Sequence, residues 1–324
     1  MNFRTELVPA RSPLQIGYSH RMLSMGSCFA DRMGDKLTQA KFRTLVNPLG
    51  IAYNPISLGH LLQVLIGEKE LSPAIFSDKE DIWQSFDFHS RFNQPSREEF
   101  ERGIHSAITK AQRWLQQTDV LILTFGTAIG FRRKDTGQLV NNCHRFPASL
   151  FDRELLELSM LVAEVSQVLS QLFSAFPALQ VLLTLSPVRH IKDSLQLNSA
   201  SKASLRLLCH QLSNSFGQVF YFPSFELMMD DLRDYRFYKE DMIHPSHFAE
   251  TYIWESFVRT HVDADSQLLL KRWEQIRRDL QHRPRQPHSE GHQRFLAALL
   301  QKLEGVAEVM DCEEEVEWVR RQMG

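Results

Sequence analysis

Two short segments, far apart in the chain, carry the residue types of nucleophilic catalysis. The first is Met25-Gly26-Ser27-Cys28-Phe29-Ala30, which follows an apolar run and opens a helical pattern. Glycine permits a sharp strand-to-helix turn, and such a turn leaves a nucleophile at a helix N-terminus. There the unpaired N–H groups and the helix dipole lower a thiol's pKa and can form part of an oxyanion hole. The plainer reading of the same residues makes Ser27 a helix N-cap and Cys28 a small packing residue. The second segment is Asp241-Met242-Ile243-His244-Pro245-Ser246. A histidine entering a helix, with a carboxylate three residues earlier, is the base and orienter of a triad. A capping histidine beside a surface aspartate is the alternative. The pairing carries more than either part, because a parallel sheet brings the loops after its strands to one crevice.

The elements that must position these residues follow from hydrophobic period. Runs at 20–25, 42–46, 119–125, 181–185 and 219–222 read as about five strands. The run at 119–125 (DVLILTF) is continuous and short, as in a strand covered on both faces. Helical patterns cover 28–40, 56–66, 96–117, 152–173, 199–213 and 245–260. Phe29, Met33 and Leu37 share one helical face, Ser96-x-x-Glu99 is a capping box, and Pro245 suits a first helical position. The alternation predicts an α/β fold: a three-layer α/β/α sandwich with a mainly parallel sheet and right-handed crossovers. The stretch at about 47–95 is too long for a simple crossover and is expected to be an insertion over one edge. Beyond 263 the pattern changes to charged helices at 265–282, 294–304 and 313–322, with a linker, RPRQPHSEG, between the first two. The expected division is an α/β domain over 1–262 and a helical extension over 263–324. That extension packs on the main domain or forms a homodimer.

Composition narrows the partners. With 37 Lys+Arg against 39 Asp+Glu the net charge is −2, so no draw toward nucleic acid or an anionic membrane is expected. No apolar run reaches the roughly 18 residues of a membrane helix, and the opening MNFRTELVPARSPLQ lacks the apolar core of a secretion signal. Cys28, Cys143, Cys209 and Cys312 are widely spaced with no CxxC pair, which suits a reducing, cytoplasmic setting. Cys28, Cys143, His144, Asp241, His244 and His247 include zinc-ligand types, but His244-x-x-His247 is the one ligand-like spacing. A metal-independent site with no cofactor is therefore expected.

Several longer segments share a resemblance. They are GSCFA (26–30), VNPLGIAYNP (46–55), TFGTA (124–128), NCHR (142–145), SPVRH (186–190), SKASL (201–205) and YFPSFELMMDDLRDYRFYKEDMIHPS (221–246). Over residues 18–258 the chain resembles the GSCFA-domain family, which is similar to the SGNH (GDSL-like) hydrolases. The resemblance implies an esterase or O-acyltransferase acting on a small-molecule or glycan acyl ester. Its nucleophile falls on Cys28, with Ser27 in reserve, and its Asp-x-x-His on Asp241 and His244. Its oxyanion glycine corresponds to Gly50. The Gly-x-Asn of the third strand falls on Gly126-Thr127-Ala128, so the oxyanion asparagine is absent. Thr127, Asn142 and Asn54 are the candidates to replace it. A thiol in the serine's place suits acyl transfer through a thioester. Asn142, His144, Arg145, Arg189, Lys202, Arg233 and Arg236 follow strand ends or open the next helix. They are candidates to hold a substrate carboxylate or phosphate. Ion pairs with Glu226, Asp230, Asp231 and Asp234 are the alternative use of these cations. The second functional reading is a catalytically reduced binding or scaffold module.

Overall fold

The computed structural model describes residues 4–192, 194–286 and 288–323. The first residues of the opening segment and one residue of the expected linker fall outside them. The chain runs β1 (Arg21–Gly26), α1 (Cys28–Gln39), β2 (Arg43–Val46), α2 (Pro55–Leu65), β3 (Ile75–Ser77), β4 (Ile82–Gln84) and α3 (Arg97–Leu115). It continues through β5 (Val120–Phe125), β6 (Ile129–Arg133), β7 (Leu139–Val140), β8 (Phe151–Leu155), α4 (Leu158–Ala175) and β9 (Gln180–Leu185). The last part comprises α5 (Leu195–Ser215), β10 (Val219–Phe222), the single turn α6 (Ser224–Glu226), α7 (His247–His261), α8 (Ala264–Leu280), α9 (Glu290–Ala307) and α10 (Glu313–Met323).

Five strands form one parallel sheet in the order β2-β1-β5-β9-β10. The chain moves outward from β1 to β2, then returns to β5 on the other side of β1. The order thus reverses between β1 and β5, and a crevice opens beyond their carboxyl ends, the general ligand position of such sheets. Every residue of β5 is buried. Its alternate residues enter two different cores. Val120 and Ile122 face α1, α7 and the C-terminal helices, while Leu121 and Leu123 face α2, α3, α4 and α5. Period-two side-chain alternation on a strand covered on both sides requires this split.

The C-terminal helices complete the first of these cores. Leu270, Trp273, Ile276, Leu296, Leu299 and Leu303 join Phe29, Met33 and Leu37 of α1 in one apolar cluster. The Trp273 indole N–H donates to the Gln39 carbonyl at 2.7 Å, and Lys41 pairs with Glu315 at 2.8 Å. The extension therefore packs on its own α/β domain. Trp273→Ala should lower unfolding free energy by about 3–5 kcal/mol in a denaturant titration, from lost burial plus a cavity.

Two expectations change. Residues 152–173 are not one helix: β8 comes first and pairs antiparallel with β6, in a separate three-stranded sheet with β7. Asp152 and Glu154, which read as helix-opening charges, instead meet Lys134 and Arg132 across the strands. The stretch at 47–95 is only partly an insertion. It contains α2, which is almost wholly buried and packs on α4, and only the β3–β4 hairpin region is added to the layers. One described helix, α4, is long and apolar enough by length and composition to cross a membrane. Its Leu161, Val165, Val168, Leu169 and Leu172 lie in the core shared with α2 and α5.

Candidate active site

Beyond the carboxyl end of β1 the chain must turn sharply into α1. Gly26 makes that turn at φ 145°, a region closed to L side chains, and a Cβ there would be driven into the Thr124 backbone of β5. Ser27 N–H donates to the Thr124 carbonyl at 3.0 Å. Asn47, buried in the loop after β2, ties the turn from the other side. Its Oδ1 accepts the Gly26 N–H at 2.8 Å and its Nδ2 donates to Asp31 at 2.6 Å. Arg91 in turn donates to the carbonyls of Asn47 and Pro48. Asn47 lies in the quoted segment VNPLGIAYNP, but neither it nor Asp31 reads there as a group with a role at the turn. The one local signal is an asparagine before proline in a loop, a turn former that tolerates positive φ, and Asn47 adopts φ 39°.

On this turn Cys28 is the first residue of α1 and is half-buried. Its Sγ lies 3.9 Å from His244 Nε2. His244 Nδ1 lies 2.7 Å from Asp241 Oδ2, and Asp241 Oδ1 accepts the N–H groups of Ile243 and His244 at 2.8 and 2.9 Å. The His244 backbone N–H, then its imidazole and the Ile243 N–H, hold the Asp241 carboxyl well below the usual carboxylate range. An ionised Asp241 draws the imidazole proton to Nδ1, which leaves Nε2 as an acceptor facing sulfur. The loop carrying the histidine is fixed as well: Lys239 N–H donates to the His244 carbonyl at 2.8 Å, and Tyr238 bridges to Pro245.

The charge state of the thiol departs from the sequence expectation. Burial, and then the Asp31 carboxylate, push the Cys28 thiol up from its ordinary value. Lys202, the residue's own N–H and Arg32 pull it down, but less strongly. The helix N-terminus therefore does not by itself produce a resting thiolate, since desolvation outweighs it.

The expected oxyanion donors are also corrected. Gly50 N–H is bonded to the Asn47 carbonyl at 2.9 Å, in a turn that holds Gly50 at φ 89°. The N–H groups of Gly126 and Thr127 both donate to the Tyr53 carbonyl, at 2.8 and 3.0 Å, and Thr127 Oγ1 meets Ser201 Oγ at 3.0 Å. What stays open is the start of α1. Ser27 stands at the N-cap but makes no side-chain capping bond, and the Ala30 N–H turns back to the Ser27 carbonyl at 2.8 Å, which leaves the Cys28 and Phe29 N–H groups as the candidates for a ligand. Ser27 Oγ is buried and has no hydrogen-bond partner, His244 included.

The remaining candidates divide. Asn54 caps α2 through Ser57, accepting its N–H at 2.8 Å and donating to its Oγ at 2.9 Å. Asn142 accepts the His144 N–H at 2.8 Å, His144 Nε2 meets the Ser85 carbonyl at 2.8 Å, and Arg145 pairs with Glu80 at 2.8 Å. Arg236 pairs with Asp234 at 2.9 Å. These five use their polar atoms on the fold. Lys202 is buried beneath the crevice and is not an accessible substrate cation. Arg189 and Arg233 do line a cavity of about 430 Å³, with Phe225, Met228, Tyr235 and Tyr238. Arg189 donates to the Met242 carbonyl at 3.0 Å, which sets that cavity beside the His244 loop. A larger cavity of about 760 Å³ is lined by Lys41, Cys312 and Arg320 at the opposite end of α1 from Cys28. Among the described residues no three His, Cys, Asp or Glu side chains are grouped as metal ligands.

Fold and site thus define an open parallel α/β protein with a thiol, an imidazole and a carboxylate in line at the point where the strand order reverses. The chain matches the GSCFA family model over residues 21–257 and belongs to that family. The C-terminal helices match a second model, the GSCFA domain protein C-terminal domain, over residues 273–324. No curated protein and no solved structure matches the chain.

Proposed function

We propose that this GSCFA protein is an SGNH-like esterase or O-acyltransferase that works through a cysteine, with a small-molecule or glycan acyl ester as substrate. The observation that carries the reading is the chain of contacts from Cys28 through His244 to Asp241, at 3.9 and 2.7 Å. Attack by Cys28 Sγ on the ester carbonyl forms the carbon–sulfur bond as the thiol proton passes to His244 Nε2. The carbonyl oxygen takes up the electron pair, and the Cys28 and Phe29 N–H groups at the start of α1 would be its donors. Collapse expels the alcohol, which leaves with the proton from the imidazolium, and a thioester remains on Cys28. Water or an acceptor alcohol then attacks the thioester, with His244 again as base. Because the resting thiol is protonated, the imidazole is required during attack rather than before it. The occupied N–H groups of Gly50, Gly126 and Thr127 favour a second reading, a fold of this type retained for binding alone.

Acid-quenched incubation with p-nitrophenyl acetate, followed by peptide mass analysis, separates the two. The catalytic reading expects a single acetyl group on the peptide bearing Cys28 and none in Cys28→Ala. An acetyl group on Ser27 would transfer the role to the hydroxyl. If Cys28 acquires no more acetyl than Cys209 and p-nitrophenol is released no faster than by Cys28→Ala, the catalytic reading falls.

A further inference from the structure

Lysine is seldom fully buried unless an acid accompanies it, because a charge removed from water is costly without compensation. Lys202, two turns into α5, is buried, and its ammonium donates to the carbonyls of Gly126 at 2.6 Å and Ser186 at 2.7 Å. Those carbonyls lie just past the carboxyl ends of β5 and β9. Among the described residues no carboxylate forms an ion pair with it. Its neighbour Ser201 binds the same loop, accepting the Ala128 N–H at 2.7 Å. That loop abuts the nucleophile turn: a Cβ on Gly126 would stand 3.0 Å from Ser27 Cβ. A buried amine is thus tied to the loop that lies against the turn carrying Ser27 and Cys28.

We propose that Lys202 is a positioning residue for the chemistry at Cys28, a buried amine held by two carbonyls whose positive charge stabilises negative charge gathering on the sulfur. The role deepens the acyl-transfer reading and rests on it, yet the charge coupling can be measured without any ester. Other charged or titratable groups also act on this site. Asp31 and Arg32 reach Cys28 from α1 and Tyr53 from the loop after β2. His244, held by Asp241, faces it from the loop before α7, and His190, from the loop after β9, feels both Lys202 and His244. Burial lowers the Lys202 ammonium to about 7, and the charge on Cys28 acts in the opposite direction. Ammonium and thiolate therefore support each other.

The test is the pH profile of Cys28 alkylation by iodoacetamide in the wild type, Lys202→Gln and Lys202→Met, with melting temperatures alongside. Loss of the cation should move the Cys28 profile up by about one pH unit, about tenfold slower alkylation at neutral pH. Melting temperature should fall less in Lys202→Gln, whose amide keeps N–H donors, than in Lys202→Met, which leaves the Gly126 and Ser186 carbonyls without one. Coincident profiles in folded variants would overturn the proposal. So would newly reactive Cys209, which would mark a loosened core. Should the variants fail to fold, wild-type protein modified at Cys28 alone serves instead. The iodoacetate adduct, which places a carboxylate beside Lys202, should melt higher than the neutral iodoacetamide adduct, and the reverse order overturns the proposal. If alkylation shifts as expected while no ester acylates Cys28, the acyl-transfer reading fails and the charge coupling stands.

Discussion

His244→Ala should slow acylation of Cys28 by p-nitrophenyl acetate by about 10²- to 10⁴-fold at neutral pH, the usual contribution of a positioned general base. Burial and Asp31 hold the Cys28 pKa above its ordinary value, so little thiolate exists at neutral pH. With His244 present, proton transfer accompanies attack and the rate is not limited by that small fraction. Without it, only thiolate reacts. The residual rate of the variant should therefore climb about tenfold per pH unit until the raised thiol pKa is passed. The wild-type rate should depend less steeply on pH over the same range. The sign follows from the direction of the shift: a raised thiol pKa moves the onset of thiolate reactivity to higher pH. The burst of p-nitrophenol, followed across pH by stopped flow, reports both rates. A variant that keeps the wild-type burst at neutral pH would remove His244 from the mechanism.

Gly26→Ala should cost about 3 kcal/mol or more of stability, or leave no soluble protein. Two independent penalties meet at this residue. Its φ of 145° is a conformation that alanine avoids, and the added Cβ would also lie within 2.9 Å of Thr124 carbonyl carbon and nitrogen. The obstructing atoms are backbone of β5, bonded in register to β1 on one side and β9 on the other. They cannot move without opening the centre of the sheet. Gly103→Ala supplies the contrast. This glycine lies inside α3 with no atom within 4 Å of a new Cβ, and the exchange should add about 0.5–1 kcal/mol. Urea titration of the two variants beside the wild type measures both effects.

The five-stranded sheet was legible because its strands are short continuous apolar runs, and a run such as 120–125 has few other stable fates. The strand β8 was not legible. Asp152, Arg153 and Glu154 carry helix-compatible charges, and their pairing with β6 depends on residues about twenty positions away. The catalytic candidates were legible as local motifs, Gly-Ser-Cys at a turn and Asp-x-x-His before a helix. Asn47 was not, since its work is a pair of hydrogen bonds to residues 26 and 31 across the loop after β2. Gly50, Gly126 and Thr127 were reasonable oxyanion donors by position. Their N–H groups face the Asn47 and Tyr53 carbonyls instead, a matter of loop direction that composition does not encode.

Taken alone, the chain's residues determined the five strands of the main sheet, its mainly parallel character, and thiol, imidazole and carboxylate as the candidates for chemistry. Hydrophobic period and side-chain chemistry are local properties, so they survive without coordinates. Only the tertiary structure decided that burial and Asp31 raise the Cys28 thiol, that Lys202 lies sealed among the strand-end loops, and that the N–H groups of Gly50, Gly126 and Thr127 are occupied. Desolvation and hydrogen-bond occupancy depend on which distant segments pack against a group, and no spacing within one segment reports them.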